Sequence, residues 1–219
     1  MSVEIPAIAP RRAWRIAALG VLLALGFFSL PVGSWVHEDS GLANRLAFEL
    51  IVWAWVVGIL LYVVRVEGRS LSSIGFRAVG LKDGIIAILA GILILALLAF
   101  ILLVVFPALH WSESSQEASI LSLPYWLNAL IVVRAAVSEE ILFRGYPMER
   151  LEELTGSRAI AAVVTCAVFT LDHISFWGWH HIFIAGAAGA ALTVLYLWRR
   201  NIWVNMIAHF MVDAAAFLA

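Results

Sequence analysis

Ionisable residues interrupt three otherwise apolar stretches of the chain, and these are the residues that could carry out chemistry. Each stretch is long enough to cross a bilayer, where an ionisable side chain costs several kcal/mol unless it is paired or lines a cavity. The residues are Arg134, Glu139, Glu140 and Arg144 in 124–145, Asp172 and His173 in 159–175, and His209 and Asp213 in 202–218. Carboxylates and imidazoles together predict a site for general acid–base chemistry.

Helical spacing places several of these residues on common faces. Residues four positions apart lie on one face of an α-helix. This spacing groups Glu140 with Arg144, Phe169 with His173, and Asn205 with His209 and Asp213. Lipid cannot satisfy three polar faces, so we expect them to turn toward one another around a wet pocket.

The two adjacent glutamates differ in their surroundings. Glu140 has Arg144 one turn away, which favours a structural ion pair. Glu139 points about 100° away around the helix and lacks that partner. A carboxylate in a poorly solvated pocket suits the role of a general base, so Glu139 is the catalytic candidate. Arg134 is left without a role, with Asp172 or the glutamates as its candidate partners.

Composition limits the class of protein. Hydrophobic residues make up 63% of the 219 residues and charged residues 13%, which excludes a soluble globular domain. The mean hydropathy of +0.98 agrees. A net charge of −1 lacks the basic footprint of a nucleic-acid-binding protein. Cys166 is the only cysteine, which excludes an internal disulfide or a cysteine-rich metal site, and we expect it to be buried.

The distribution of charges predicts a polytopic all-α bundle, a single membrane domain over 1–219. Seven spans are predicted at 14–34, 46–64, 84–107, 124–145, 159–175, 180–198 and 202–218. The first apolar run is too long for a normal signal-peptide core, so we interpret it as a retained span.

Loop charges predict the orientation of these spans. Alternate loops hold eleven Lys and Arg residues against one in the others, which places the N-terminus in the cytoplasm and the C-terminus outside. The chain is therefore expected to be an integral membrane protein, of a bacterial or archaeal plasma membrane. The residues expected to lie near water, without a role, are His37, Glu49 and His110. His180 and His181 are expected to lie at the membrane–water interface, with extra metal ligands as the alternative.

The three polar clusters together resemble the motifs of a known family. Glu139 to Gly145 resembles EExxxR, Phe169 to His173 resembles FxxxH, and His209 to Asp213 resembles HxxxN/D. They are similar to the motifs of the CAAX-protease and bacteriocin-processing (CPBP, or Abi) family of glutamate-type intramembrane proteases, which includes the Ras-converting CAAX endopeptidase. The resemblance covers 131–216 and preserves the order of the motifs.

This resemblance implies roles for individual residues. Glu139 would activate water with His173, and His209 with Asp213 would stabilise the oxyanion. Glu140, Arg144, Phe169 and Asn205 would support them. Asp213 departs from the asparagine common in the family, and an ionised aspartate cannot donate a hydrogen bond, so orienting His209 is its other possible role.

Cofactors, partners and rival functions complete the expectations. No cofactor is expected. The alternative is a zinc ion held by His173, His209 and Asp213, although the helical HExxH motif is absent. The expected partners are a membrane-bound protein or peptide substrate and the lipid bilayer, without nucleic acid. The rivals are a catalytically silent scaffold or immunity protein and a small transporter with a proton relay. The identity and prenylation of the substrate, the side of cleavage and the oligomeric state stay open.

Overall fold

A computed structural model describes residues 11–27, 41–111 and 115–218, with the side chains of 115–117 and 175 left out. In chain order the described helices of seven residues or more are α1 (Arg11–Gly26), α2 (Leu42–Leu61), α3 (Leu81–Phe100), α4 (Ser115–Leu121), α5 (Tyr125–Glu139), α6 (Tyr146–Thr155), α7 (Arg158–Trp177), α8 (His181–Arg199) and α9 (Ile202–Phe217). Wider π-helical turns continue three of them, at Tyr62–Val66 after α2, Ile101–Val105 after α3 and Glu140–Gly145 after α5. Shorter helical turns lie at Leu71–Ile74 and Phe106–Ala108. The described ranges contain no strand.

Among the described residues, three helices are long and apolar enough to cross a membrane by length and composition. They are α2 with its continuation (Leu42–Val66), α3 with its continuation and the short helix that follows it (Leu81–Ala108), and α8 (His181–Arg199). Helix α9 is apolar but shorter. The prediction of an all-α membrane bundle is confirmed. The remaining spans stay predictions, and 28–34 of the first span, like His37, lie outside the described residues.

Small residues allow the helices around the centre of the bundle to pack closely. A Cβ added at Gly91 of α3 would lie 3.1 Å from the side chain of Met211 on α9. A Cβ at Gly189 of α8 would lie 2.8 Å from the ring of Phe169 on α7. These close approaches hold α3 against α9 and α8 against α7, beside the helices that carry the ionisable residues. Cys166 is half-buried, so its expected full burial is wrong.

Ion pairs join the loops at one end of the bundle. The pairs are Arg150 with Glu67 at 2.6 Å, Arg69 with Glu153 at 2.6 Å, Arg158 with Glu152 at 2.7 Å, Arg199 with Asp83 at 2.6 Å, and Arg200 with Glu149 at 3.1 Å. The backbone N–H of Ile202 also donates to the carbonyl of Gly75 at 2.9 Å. The three loops predicted to be cytoplasmic between α2 and α9 therefore meet on one side, which is consistent with the charge-based orientation.

Glu152 in this network has a perturbed acidity. Partial burial tends to raise the pKa of its carboxyl, but hydrogen bonds from Arg158 and Arg200 outweigh burial and lower the pKa below 4.5. The network is thus expected to be weakened by acid.

Candidate active site

A cavity of about 450 Å³ lies among α2, α3, α5, α7, α8 and α9. Most of its wall is apolar, and its ionisable lining residues are Arg45, Glu49, Arg134, Glu139, Asp172, His173, His181, His209 and Asp213. The cavity therefore brings together the four predicted catalytic residues from three helices.

Glu139 is the last residue of α5 and faces two histidines across the cavity. Its Oε2 lies 3.8 Å from Nε2 of His173 and 3.9 Å from Nε2 of His209. Both distances are too long for a direct hydrogen bond but suit two groups bridged by a water molecule. A water about 2.8 Å from Glu139 Oε2 and from either nitrogen satisfies these separations.

His173 is held in one orientation by its own helix. Its Nδ1 lies 2.7 Å from the backbone carbonyl oxygen of Phe169. A carbonyl oxygen can only accept, so Nδ1 carries the proton, and in the neutral ring Nε2 is an acceptor. This assignment leaves two acceptors, His173 Nε2 and the Glu139 carboxylate, facing the same gap. A water molecule there can donate one hydrogen to each.

Carboxylates face both ring nitrogens of His209. Nδ1 lies 2.9 Å from Oε1 of Glu140, and Nε2 lies 3.5 Å from Oδ2 of Asp213. Because ionised carboxylates only accept hydrogen bonds, the arrangement suits a ring with a proton on each nitrogen. Nε2 then presents a donor to the cavity, on the same side as Oε2 of Glu139.

Glu140 connects the three motifs. Its Oε1 accepts from Nη1 of Arg144 at 3.0 Å as well as from His209, and its Oε2 accepts from Nδ2 of Asn205 at 3.0 Å. The Arg144 guanidinium lies 3.9 Å from the ring centroid of Phe169. Glu140 and Arg144 are both fully buried. The ion pair expected between them is present, and it belongs to a network that also fixes α7 and α9.

The helix changes geometry immediately after Glu139. Residues Glu140–Gly145 form a π-helical turn, whereas the sequence suggested an uninterrupted α-helix. Such turns contain one extra residue and are frequent at functional sites. The wider turn still allows the contact between Glu140 and Arg144.

Two expectations for the outer residues are wrong. Glu49 was expected near water but is 4% exposed, because it lies one to two turns inside α2 and faces Arg134. Both Glu49 oxygens lie 3.2 Å from Nε of Arg134. Nη1 of Arg134 lies 3.6 Å from Oε1 of Glu139, so Glu139 does have a cationic neighbour on its own helix. Arg134 and Glu139 are five positions apart, so the four-residue spacing of a helix face did not predict this contact.

His181 was expected at the membrane–water interface, but its side chain lines the cavity. Its ring is nearly parallel to that of His173, with 6.1 Å between centroids, and stacks on Trp177 at 5.0 Å. Its neighbour His180 instead packs on Trp111 and Trp179, at centroid distances of 4.7 Å and 3.9 Å. Adjacent residues at a helix start point in different directions, which depth alone does not reveal.

Within 11–27, 41–111 and 115–218, no group of three or more His, Cys, Asp or Glu side chains is arranged to hold a metal ion.

Residues 121–215 match the family model described as type II CAAX prenyl endopeptidase, Rce1-like. The matched segment includes Arg134, all three motifs and α5 to most of α9, whereas Glu49 lies outside it. No curated protein and no solved structure matches the chain.

Proposed function

We propose, on the premise that the chain belongs to the CPBP, or CAAX-protease, family, that it is an intramembrane endopeptidase using water activated by a glutamate and a histidine. The observation that carries the proposal is the gap between Glu139 Oε2 and His173 Nε2, two acceptors 3.8 Å apart at a largely apolar cavity. A water held there is oriented by both groups, with its oxygen lone pairs directed away from them.

The reaction would begin with that water. Its oxygen bonds to the scissile carbonyl carbon while Glu139 accepts one of its protons, and His173 keeps the water in place. The carbonyl oxygen becomes an oxyanion, which accepts a hydrogen bond from Nε2–H of His209. As the C–N bond breaks, Glu139 returns the proton to the leaving amine. Asp213 would orient His209, from which it lies 3.5 Å.

The cavity supports a membrane-associated protein or peptide as substrate. Its apolar wall includes Leu95, Leu98 and Leu102 of α3 and its continuation, which can contact an apolar segment or chain that enters from the bilayer. The family description points to prenylated CAAX sequences as the first substrates to test. Residence in a bacterial or archaeal plasma membrane is part of the same proposal.

The decisive experiment is the substitution Glu139→Gln. The amide keeps the volume of the side chain but cannot take a proton from water, so we expect a loss of about 10²-fold or more in kcat with the fold retained. The assay uses purified protein in detergent and internally quenched peptides that end in CAAX sequences, with and without a farnesyl group. Glu153→Gln, in a half-exposed pair, is the matched control.

Cleavage by Glu139→Gln at the wild-type rate would refute Glu139 as the base. If folded wild-type protein cleaves none of the peptides, a catalytically silent member of the family becomes the better interpretation.

A zinc-dependent version is the second candidate, and one observation favours it. Both histidines present Nε2 to the cavity, while their Nδ1 atoms are held by a carbonyl and a carboxylate, as is common for zinc-binding histidines. His173, His209 and Asp213 would have to move closer together to hold the ion, because the described side chains are not arranged as a metal site. The ion would then make a bound water nucleophilic. Metal ligation by Asp213 requires its negative charge, whereas orientation of His209 requires only a polar group of that size.

The substitution Asp213→Asn separates the two versions. Without a metal, we expect Asp213→Asn to keep substantial activity, Asp213→Leu to lose most of it, and a chelator to have no effect. His209→Ala should lose about 10²-fold or more, as expected for an oxyanion donor. Loss of activity in Asp213→Asn that added Zn²⁺ restores would establish the zinc version instead.

A further inference from the structure

Glu49 and Arg134 form a buried pair directly against the proposed catalytic glutamate. We propose that they are positioning residues, in which Glu49 holds the charge of Arg134 so that Glu139 remains available to the water in the cavity. The inference rests on the proposed function, in which Glu139 is the base. It also gives a role to α2, which lies outside the segment matched by the family model.

Arg134 lies closer to the carboxylate of Glu49 than to that of Glu139. Its Nε lies 3.2 Å from both oxygens of Glu49, whereas its Nη1 lies 3.6 Å from one oxygen of Glu139. The guanidinium carbon of Arg134 lies 5.6 Å from the centroid of the Phe48 ring, which further restricts the position of the guanidinium. Arg134 therefore makes its direct hydrogen bonds to Glu49 and touches Glu139 only at ion-pair distance.

The two oxygens of Glu139 consequently have different neighbours. Oε1 faces Arg134, and Oε2 faces the Nε2 atoms of His173 and His209. Contact with the cation on one side fixes the rotation of the carboxylate and leaves the other oxygen toward the water. Reaction geometry is sensitive at this level, because a displacement of about 1 Å can cost about 10²-fold in rate.

The charges around Glu139 explain why Glu49 is needed to hold Arg134 away from a direct ion pair with Glu139. The groups that face Glu139 include Arg134 on its own helix, Glu49 on α2, His173 on α7, and His209 and Asp213 on α9. Without the charge of Glu49, Arg134 would be a buried cation with Glu139 as its nearest described carboxylate. A direct ion pair between them would then compete with proton transfer from water to Glu139.

The test compares Glu49→Gln with Glu67→Gln. Glu67 also forms a buried pair with an arginine, at 2.6 Å from Arg150, but it does not line the cavity. Both variants should lower Tm, since each removes the closest carboxylate of a buried arginine and leaves only a more distant one, Glu139 for Arg134 and Glu153 for Arg150. Only Glu49→Gln should lower kcat on the farnesylated quenched peptide, by about 10²-fold, with KM within about twofold of wild type.

A second readout does not depend on catalysis. The apolar reagent dicyclohexylcarbodiimide adds to a protonated carboxyl: the acid proton moves to one nitrogen of the reagent, and the carboxyl oxygen bonds to its central carbon. Labelling of Glu139, located by tandem mass spectrometry, should be slower in Glu49→Gln, where Arg134 pairs with it. In the double variant Glu49→Gln/Arg134→Gln, which buries neither charge, labelling should be faster than in Glu49→Gln.

The outcomes distinguish failure of the proposed function from failure of the positioning role of Glu49 and Arg134. If wild type cleaves no peptide, the proposed function fails for this class of substrate, and the labelling series alone decides the positioning inference. We expect Glu67→Gln to have a lowered Tm with wild-type kcat and wild-type labelling of Glu139. If Glu49→Gln behaves in the same way, the pair of Glu49 and Arg134 only stabilises the fold. That result would overturn the positioning role. Glu49→Gln could also fail to fold. If the double variant then folds and has the kcat and the Glu139 labelling of wild type, the positioning role is overturned as well.

Discussion

Replacement of Glu140 by glutamine should destabilise the protein strongly. Glu140 is fully buried and accepts hydrogen bonds from Arg144, His209 and Asn205 at 2.9–3.0 Å. Glutamine has one acceptor oxygen, and its nitrogen only donates. If that oxygen serves Arg144 and His209, the new NH₂ group faces Nδ2 of Asn205, which is itself a donor. Rotation of the Asn205 amide would instead break its hydrogen bond to the carbonyl of Leu192.

The magnitude follows from the buried charge that remains. Breaking a buried ion pair by removal of one partner costs about 3–5 kcal/mol. For a chain of about this size, each kcal/mol lowers Tm by roughly 2–4 °C, so Glu140→Gln should lower Tm by about 6–20 °C. Glu153→Gln at the surface serves as the control. Its partner Arg69 is 39% exposed, and its second partner Arg150, at 3.3 Å, keeps the closer contact with Glu67 at 2.6 Å, so we expect a loss of about 1 kcal/mol.

Thermal unfolding of the purified variants in one detergent measures the difference. Glu139→Gln is the second control, since its cationic neighbour Arg134 keeps the two hydrogen bonds to Glu49. A Tm for Glu140→Gln within about 2 °C of wild type would refute the view that Glu140 connects the three helices. An intermediate shift, equal to that of Glu139→Gln, would refute the division of roles between the two glutamates.

Three further predictions concern packing, acidity and orientation. Gly189→Ala should cost about 1–3 kcal/mol, measured by Tm, because the new Cβ lies 2.8 Å from the Phe169 ring; an unchanged Tm would contradict the close packing. The lowered pKa of Glu152 means that its stabilisation is complete above about pH 4.5 and is lost as pH falls. The Tm difference between wild type and Glu152→Gln should therefore shrink from pH 6 to pH 3, and a constant difference would exclude this linkage. A reporter within 70–80 should be cytoplasmic and one after residue 219 external; the reverse result would mean that the charge rule was misapplied.

The sequence was informative wherever local periodicity and composition determine structure. The absence of charges over 84–107 predicted an apolar helix, and the structure has one there, because backbone groups in a bilayer must be satisfied within the segment. The spacing of Glu140 and Arg144 predicted an ion pair that depends on one helix alone. The three motifs also pointed to a family that the matched segment supports.

Which charges meet across helices depends on the tertiary structure. The sequence placed Glu49 near water, but the packing of α2 against α5 buries it beside Arg134, 85 residues away along the chain. Likewise, His181 turns into the cavity and His180 turns away from it, although they are adjacent. Contacts of this kind depend on helix rotation, tilt and close packing at small residues, and none of these has a signature in local spacing. The environment of Glu139, on which its proposed chemistry depends, is therefore a property of the assembled bundle.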